Sequence, residues 1–165
     1  MLLNSLLSCS KISDEIWQSA NSNIQLKFDN NWELIKPFVD TEDKVLVGLT
    51  DRGDHSSIVV KFEDDVSKEV LSDENYMDAF KSQMLKANSG NKLLIQDEIV
   101  FKDRKFTRLV FFMNTKYGDF IVTNNISRDG IKFLSIQVSC PKDLIKTPGK
   151  DMPDKFDRIL SDMKI

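Results

Sequence analysis

Residues 92–141, KLLIQDEIVFKDRKFTRLVFFMNTKYGDFIVTNNISRDGIKFLSIQVSCP, decide the fold of this chain. Four segments rich in β-branched and aromatic residues follow one another here, and short polar connections separate them. The segments are residues 93–101, 106–113, 120–128 and 131–140. Connections this short join neighbouring antiparallel strands, so the stretch predicts an antiparallel meander.

The dipeptide Asp129-Gly130 predicts a tight type I′ turn in the last hairpin, because both central residues of that turn need positive φ. The pairs expected from this turn are Arg128 with Ile131, Ile126 with Phe133, and Ile121 with Val138. Apolar pairs then fall on both faces of the sheet, whereas a sheet exposed on one side shows cleaner alternation. We therefore expect both faces to be covered, at least in part.

Two amphipathic helices can supply those covers. In residues 73–87, apolar side chains recur three and four positions apart and form one stripe, which favours packing on the sheet. Residues 154–163 carry a second stripe of the same kind. Residues 44–50 and 57–62 flank a polar loop and predict a further hairpin. Together these elements predict one α+β domain in which an antiparallel β-sheet is sandwiched between helices.

The composition sets limits on function. The chain has 165 residues, of which 41% are hydrophobic, and a net charge of −3. A length of this order suits one ordinary domain. There is no basic surplus to neutralise phosphates, so nucleic acid is not expected as a partner. No stretch of about 18 apolar residues is present that would span a bilayer.

The loop between the two strands of the hairpin holds the single histidine, His55, beside Asp51 and Asp54. This trio suggests a metal or acid–base site, but no second set of ligands converges on it, and loops are commonly built from such residues. The nucleophile candidates Ser56 and Cys140 lack an evident base, and Cys140 fits a buried free thiol. We therefore predict no enzyme activity, no cofactor and no metal site.

The N-terminus suggests a lipid anchor. Leu6-Leu7-Ser8-Cys9 resembles the lipobox of bacterial lipoproteins, which would make Cys9 the lipidated residue. The segment lacks a basic region before its short apolar stretch, so either the true start lies upstream or this is an ordinary apolar N-terminus without a lipid anchor. Residues 1–22 are interpreted as a signal remnant or tether, although a short helix also fits residues 10–23. The folded domain is expected to span residues 23–165.

A family resemblance extends this interpretation. The stretch Ile24-Gln-Leu-Lys-Phe-Asp-Asn-Asn-Trp32, the order of the elements that follow, and the closing stretch Phe156-Asp-Arg-Ile-Leu-Ser161 resemble the PsbP-like superfamily. That group includes DcrB-type bacterial lipoproteins and Eag-type secretion chaperones. The resemblance implies an α/β/α sandwich and a binding or accessory role rather than catalysis. Trp32 itself is expected to be a packing residue.

From these observations we expect a non-enzymatic accessory or binding protein of the bacterial cell envelope. It would be a lipoprotein held to the membrane by its lipid anchor alone, with the domain in the periplasm or outside and with a protein partner. The alternative is a cytoplasmic chaperone-like protein that shields apolar segments of a secreted partner. In either case the packed sheet would leave binding to its edges, its loops or a gap between the helices.

Overall fold

The computed structural model describes residues 14–64, 73–129 and 132–165. Two α-helices and ten β-strands make up most of this part of the chain. The strands are β1 Glu15–Gln18, β2 Gln25–Phe28, β3 Trp32–Leu34, β4 Val39–Asp40, β5 Lys44–Asp51, β6 Ser57–Asp64, β7 Lys92–Phe101, β8 Arg104–Thr115, β9 Gly118–Asp129 and β10 Lys132–Pro141. The helices are α1 Asp73–Lys86 and α2 Asp154–Asp162, and a 3-10 turn spans Lys142–Leu144. None of the described helices is long and apolar enough to cross a membrane.

The strands form one large antiparallel sheet and one small ribbon. The large sheet has eight strands in the order β3-β5-β6-β10-β9-β8-β7, with β4 also paired to β5. Strands β1 and β2 form the ribbon. Two backbone hydrogen bonds of 3.0 Å between Gln25 and Lys164 tie the ribbon to the end of the chain. The predicted hairpin and the predicted meander are both confirmed as neighbouring strands of the large sheet.

One face of the large sheet, here called the α2 face, packs against α2 and the ribbon. Alternation along the strands puts Val47, Val60 and Ile136 on this face, and all three are buried. The covering side chains include Trp17, Leu26, Phe156 and Ile159. Burying each large apolar side chain contributes roughly 1.5–3 kcal/mol, so this cluster is a main source of stability.

The opposite face, here called the α1 face, packs against α1. Tyr76 stacks on Phe133 with ring centroids 3.9 Å apart, and Phe80 lies 6.5 Å from Phe111. Met77 completes this smaller core. The predicted helices are thus confirmed, as is the prediction that they lie on opposite faces of an antiparallel sheet.

The register of the last hairpin differs from the prediction. Arg128 pairs with Phe133 instead of Ile131, and Ile121 pairs with Cys140 instead of Val138. Asp129 pairs with Lys132, so Asp129 belongs to the strand and is not a central residue of a turn, and residues 130–131 lie outside the described part. Because the register is shifted by two residues, every side chain stays on its predicted face, and apolar side chains still lie on both faces of the sheet.

The N-terminal region also differs from the prediction. For residues 10–23 the sequence allowed a short helix or a tether, but Glu15–Gln18 form strand β1. Trp17 is buried and lies 5.8 Å from the ring of Phe38, which gives this short strand its anchor. Four residues with one buried side chain carry too little periodicity to be identified as a strand from sequence.

Candidate functional site

A groove opens on the α1 face next to the last turn of α1. It encloses about 700 Å³, which lies within the range of about 300–1,000 Å³ common for ligand sites. The floor is formed by side chains of β8, β9 and β10, namely Met113, Thr115, Phe120, Val122, Gln137 and Ser139. The rim is formed by His55, Met84, Lys116 and Tyr117.

Strand register explains why the floor is largely apolar. Phe120 and Val122 are two residues apart on β9 and therefore point to the same face. Met113 on β8 is directly opposite Phe120, which brings a third apolar side chain to that face. On the other side of β9, β10 contributes the polar Gln137 and Ser139. The floor is therefore apolar beneath α1 and becomes polar near the loop between β5 and β6.

The rim carries an exposed aromatic side chain. Tyr117 lies in the turn between β8 and β9, and 76% of its surface is exposed. The Nζ atom of Lys116 lies 4.8 Å from the centre of its ring, so a positive charge rests on the aromatic face. Met84 at the end of α1 forms the facing rim. Methionine side chains adapt to the shape of a ligand, which suits a binding surface.

The loop that holds the only histidine divides its polar residues between the two faces. His55 has a left-handed backbone with φ of 64° and lines the groove on the α1 face. Asp51 and Asp54 instead pair with Lys155 of α2, whose Nζ lies 3.5 Å from Asp51 Oδ2 and 2.5 Å from Asp54 Oδ2. The trio suggested by sequence is therefore not one site.

The pKa of Asp54 follows from this ion pair. Burial acts to raise the pKa of the carboxyl group, but the hydrogen bond from Lys155 and the bond from the backbone N–H of Ser56 outweigh it. The net result is a pKa below the ordinary value of 3.8. Asp54 thus serves to hold α2 against the loop rather than to bind a ligand.

A second, smaller cavity of about 200 Å³ lies on the α2 face, under the loop that follows the 3-10 turn. Arg108 closes one side of it. Its Nε donates to Asp97 Oδ1 at 2.8 Å, and its Nη1 donates to the backbone oxygen of Gly149 at 2.7 Å. The hydrogen bond from Arg108 lowers the pKa of Asp97. The guanidinium is therefore occupied in fixing the loop.

The two nucleophile candidates are buried on the α2 face. Cys140 is a buried free cysteine, as predicted, and desolvation raises the pKa of its thiol to about 11. Ser56 has no exposed surface. Neither lines the groove, and within the described residues no three His, Cys, Asp or Glu side chains are placed to hold a metal ion.

Two residues of this groove, Met84 and His55, were predicted from the sequence to have other roles. Met84 lies in the apolar stripe of residues 73–87, which was predicted to pack on the sheet, and His55 lies in the loop for which no metal site was predicted. The best overlooked signal was Tyr117, an aromatic residue in a polar turn. Cys9, the predicted lipidation site, lies outside the described residues. Trp32 is confirmed as a packing residue, since it is buried with its ring 5.5 Å from that of Phe156.

Comparison with solved structures identifies the fold. Cyanobacterial PsbP (CyanoP) from Synechocystis sp. PCC 6803 matches with a TM-score of 0.60 over 98% of this chain and 97% of its own, at 15% sequence identity. This chain has the PsbP-like fold. The Ran-binding protein Mog1p of Saccharomyces cerevisiae matches with a TM-score of 0.50 over 79% of this chain and 78% of its own, at 12% identity. No protein-family model and no curated protein matches the sequence. At these identities the PsbP-like likeness establishes the fold and leaves the function to the site.

Proposed function

We propose that this protein is a non-enzymatic accessory protein that binds another protein through the groove beside α1. The groove carries the proposal because it combines an apolar floor with an exposed aromatic side chain, Tyr117, on its rim. Tyrosine is enriched among the residues that dominate binding energy at protein interfaces. The fold is also compatible with this role, since one protein that shares it, Mog1p, is described as Ran-binding.

A catalytic role has less support in the described residues. Of the described residues that line the groove, His55 and Lys116 have basic side chains, and none is a carboxylate or a thiol. A nucleophile needs a base within hydrogen-bond reach, and the buried Ser56 and Cys140 lie on the other face of the sheet. Binding therefore accounts for the groove better than chemistry does.

We further propose that the protein is a lipoprotein of the bacterial cell envelope, of DcrB type, with Cys9 as the lipidated residue. The support is the lipobox-like Leu6-Leu7-Ser8-Cys9. Two acyl chains on one residue would give stable anchoring, because a single chain binds membranes only marginally. The binding domain would then work at the membrane surface.

A cytoplasmic chaperone-like protein that shields apolar segments is the second candidate. The apolar floor of the groove, built from Met113, Phe120 and Val122, is what favours it. The two candidates share the groove and differ in the compartment. Metabolic labelling with a palmitate analogue separates them: label that disappears in Cys9→Ala supports the lipoprotein, and absence of label on the full-length wild type contradicts it.

The binding function is tested by affinity purification of the full-length protein from its native cells, with quantification of the co-purified proteins. Tyr117→Ala should reduce the yield of a specific partner at least tenfold, because loss of an interface anchor typically costs about 2 kcal/mol or more. Val100→Ala is the matched control, since Val100 is 69% exposed on β7, away from the groove. A partner lost equally from both variants, or from neither, would contradict binding through the groove.

A further inference from the structure

The charges that line the groove indicate what kind of segment it binds. We propose that the occupant is an apolar segment of a partner protein that carries an acidic side chain, and that Lys116 pairs with this acid. The inference rests on the proposed function, because it names the chemistry of the partner at the same site. It is based on the charge of the side chains that line the groove, which is opposite in sign to the net charge of the whole chain.

Acidic residues are in excess in the whole chain but are absent from the part of the groove lining that the structure describes. The chain has 26 acidic and 23 basic residues, and a net charge of −3. The described residues that line the groove include the basic side chains of Lys116 and His55, and none of them is a carboxylate. Complementary charge across an interface favours the correct partner and disfavours others.

The nearest acid in sequence is already engaged elsewhere. Asp119 follows the turn, but its Oδ1 accepts a hydrogen bond from Asn114 Nδ2 at 2.8 Å, and Asp119 does not line the groove. Lys116 makes its described contact with the ring of Tyr117, and no described carboxylate pairs with it. The ammonium group is thus held beside an exposed aromatic ring and remains able to pair with a carboxylate that arrives with a ligand.

Three of the other polar groups in the groove can also donate to a carboxylate. The hydroxyl groups of Tyr117 and Ser139 and the amide of Gln137 are hydrogen-bond donors, and an ionised carboxylate only accepts. The hydroxyl of Thr115 is already engaged, since it donates to the backbone oxygen of Gly118 at 2.9 Å. A carboxylate that enters a partly apolar groove loses hydrogen bonds to water, and hydrogen bonds from these protein donors must replace them. Apolar neighbours in the same segment would contact Met84, Met113 and Phe120. A basic segment would instead bring like charges together at Lys116.

The test uses a phage-displayed library of random heptapeptides, selected against the full-length wild-type protein. Selected peptides should combine apolar residues with Asp or Glu. An individual synthetic peptide from this set should bind Lys116→Glu about tenfold more weakly, because an exposed ion pair of up to about 1 kcal/mol is replaced by repulsion. Lys146→Glu is the control, since Lys146 is also exposed but lies in the loop on the other side of the sheet. The control should bind within twofold of the wild type.

The outcomes separate this inference from the function on which it rests. Peptides that lose binding in Tyr117→Ala but show no preference for acids leave the protein-binding groove intact and overturn the inference. Peptides that bind Tyr117→Ala as well as the wild type do not use the groove, and they contradict both proposals. If the wild type dimerises in sedimentation analysis and Tyr117→Ala does not, the groove holds a second copy of this chain, which also overturns the inference.

Discussion

Replacing Asn124 by valine should make the protein more stable. Asn124 lies on β9 with no exposed surface, between Leu109 on β8 and Gln137 on β10. Among the residues that the structure describes, neither its Oδ1 nor its Nδ2 has a hydrogen-bond partner. A buried polar group without a partner costs about 1–3 kcal/mol, and an apolar side chain of similar shape removes that cost. Valine also suits a strand, because its branched side chain packs well on a pleated surface.

The expected gain in the free energy of unfolding is smaller than the full cost of burying two polar atoms without hydrogen-bond partners. Valine is bulkier than asparagine near the backbone, and overpacking a core costs about 1–3 kcal/mol where the surroundings cannot adjust. We therefore expect Asn124→Val to raise the free energy of unfolding by about 1–2 kcal/mol. For a domain of this size the melting temperature should rise by about 2–4 °C per kcal/mol.

Urea denaturation followed by tryptophan fluorescence measures this change. Thr123→Val is the matched control, because Thr123 is the neighbouring residue on the opposite face and is only partly buried. Thr123→Val should change the free energy of unfolding by no more than about 0.5 kcal/mol. A loss of more than about 1 kcal/mol in Asn124→Val would refute the reasoning, since it would mean that the amide has a partner in solution, such as a buried water.

Three other predictions concern the α2 face. Lys155→Met should destabilise the protein at pH 7 by about 1 kcal/mol or less, because its ion pairs are partly exposed. The pKa of Asp54 is lower in the folded state than its ordinary value of 3.8, so its stabilisation is present above that pH and is lost as the pH falls through the folded pKa. The difference between wild type and Lys155→Met, measured by urea denaturation, should therefore shrink below pH 4 by this relation, and a constant difference would contradict it. The Cys9→Ala variant leaves Cys140 as the only thiol. It should react with Ellman's reagent at pH 8 only after unfolding, because it is buried and its pKa is raised to about 11. If the folded protein reacted as fast as free cysteine, the thiol would not be buried. Phe156→Ala should lower the free energy of unfolding by about 3–5 kcal/mol, because the ring is fully buried, and thermal or urea unfolding measures this loss. A loss below about 1 kcal/mol would show that α2 does not pack as described.

Much of the fold followed from local sequence patterns. The helices α1 and α2 and the strands of the meander have periodic apolar side chains over at least nine residues, and such periodicity depends little on the rest of the chain. The register of the last hairpin was predicted wrongly because the Asp-Gly preference is local, whereas the observed register is fixed by the pairing of β10 with β6 as well as with β9. Strand β1 was missed because only its contact with β2 and the core makes it a strand.

The candidate site could not be predicted in the same way. Its floor and rim come from three strands, one helix end and two loops that are far apart in sequence. Phe120 is half-buried and Val122 is buried, and no local feature distinguishes these two from the other apolar residues of β9. They line the groove because α1 covers Ile126 and Phe111 further along the same face and ends beside Met113. Tertiary packing therefore decides which residues become a surface.

Site-specific photo-crosslinking in the native cells tests the central claim, that the groove beside α1 is a protein-binding site. A benzophenone amino acid placed at Tyr117 should give a discrete crosslinked product of the full-length protein with one partner, and the same amino acid at Val100 should not. Both positions are highly exposed in the free protein, at 76% and 69%, so they differ in location rather than in accessibility. No crosslinked product at Tyr117, or the same product at Val100, would contradict the claim.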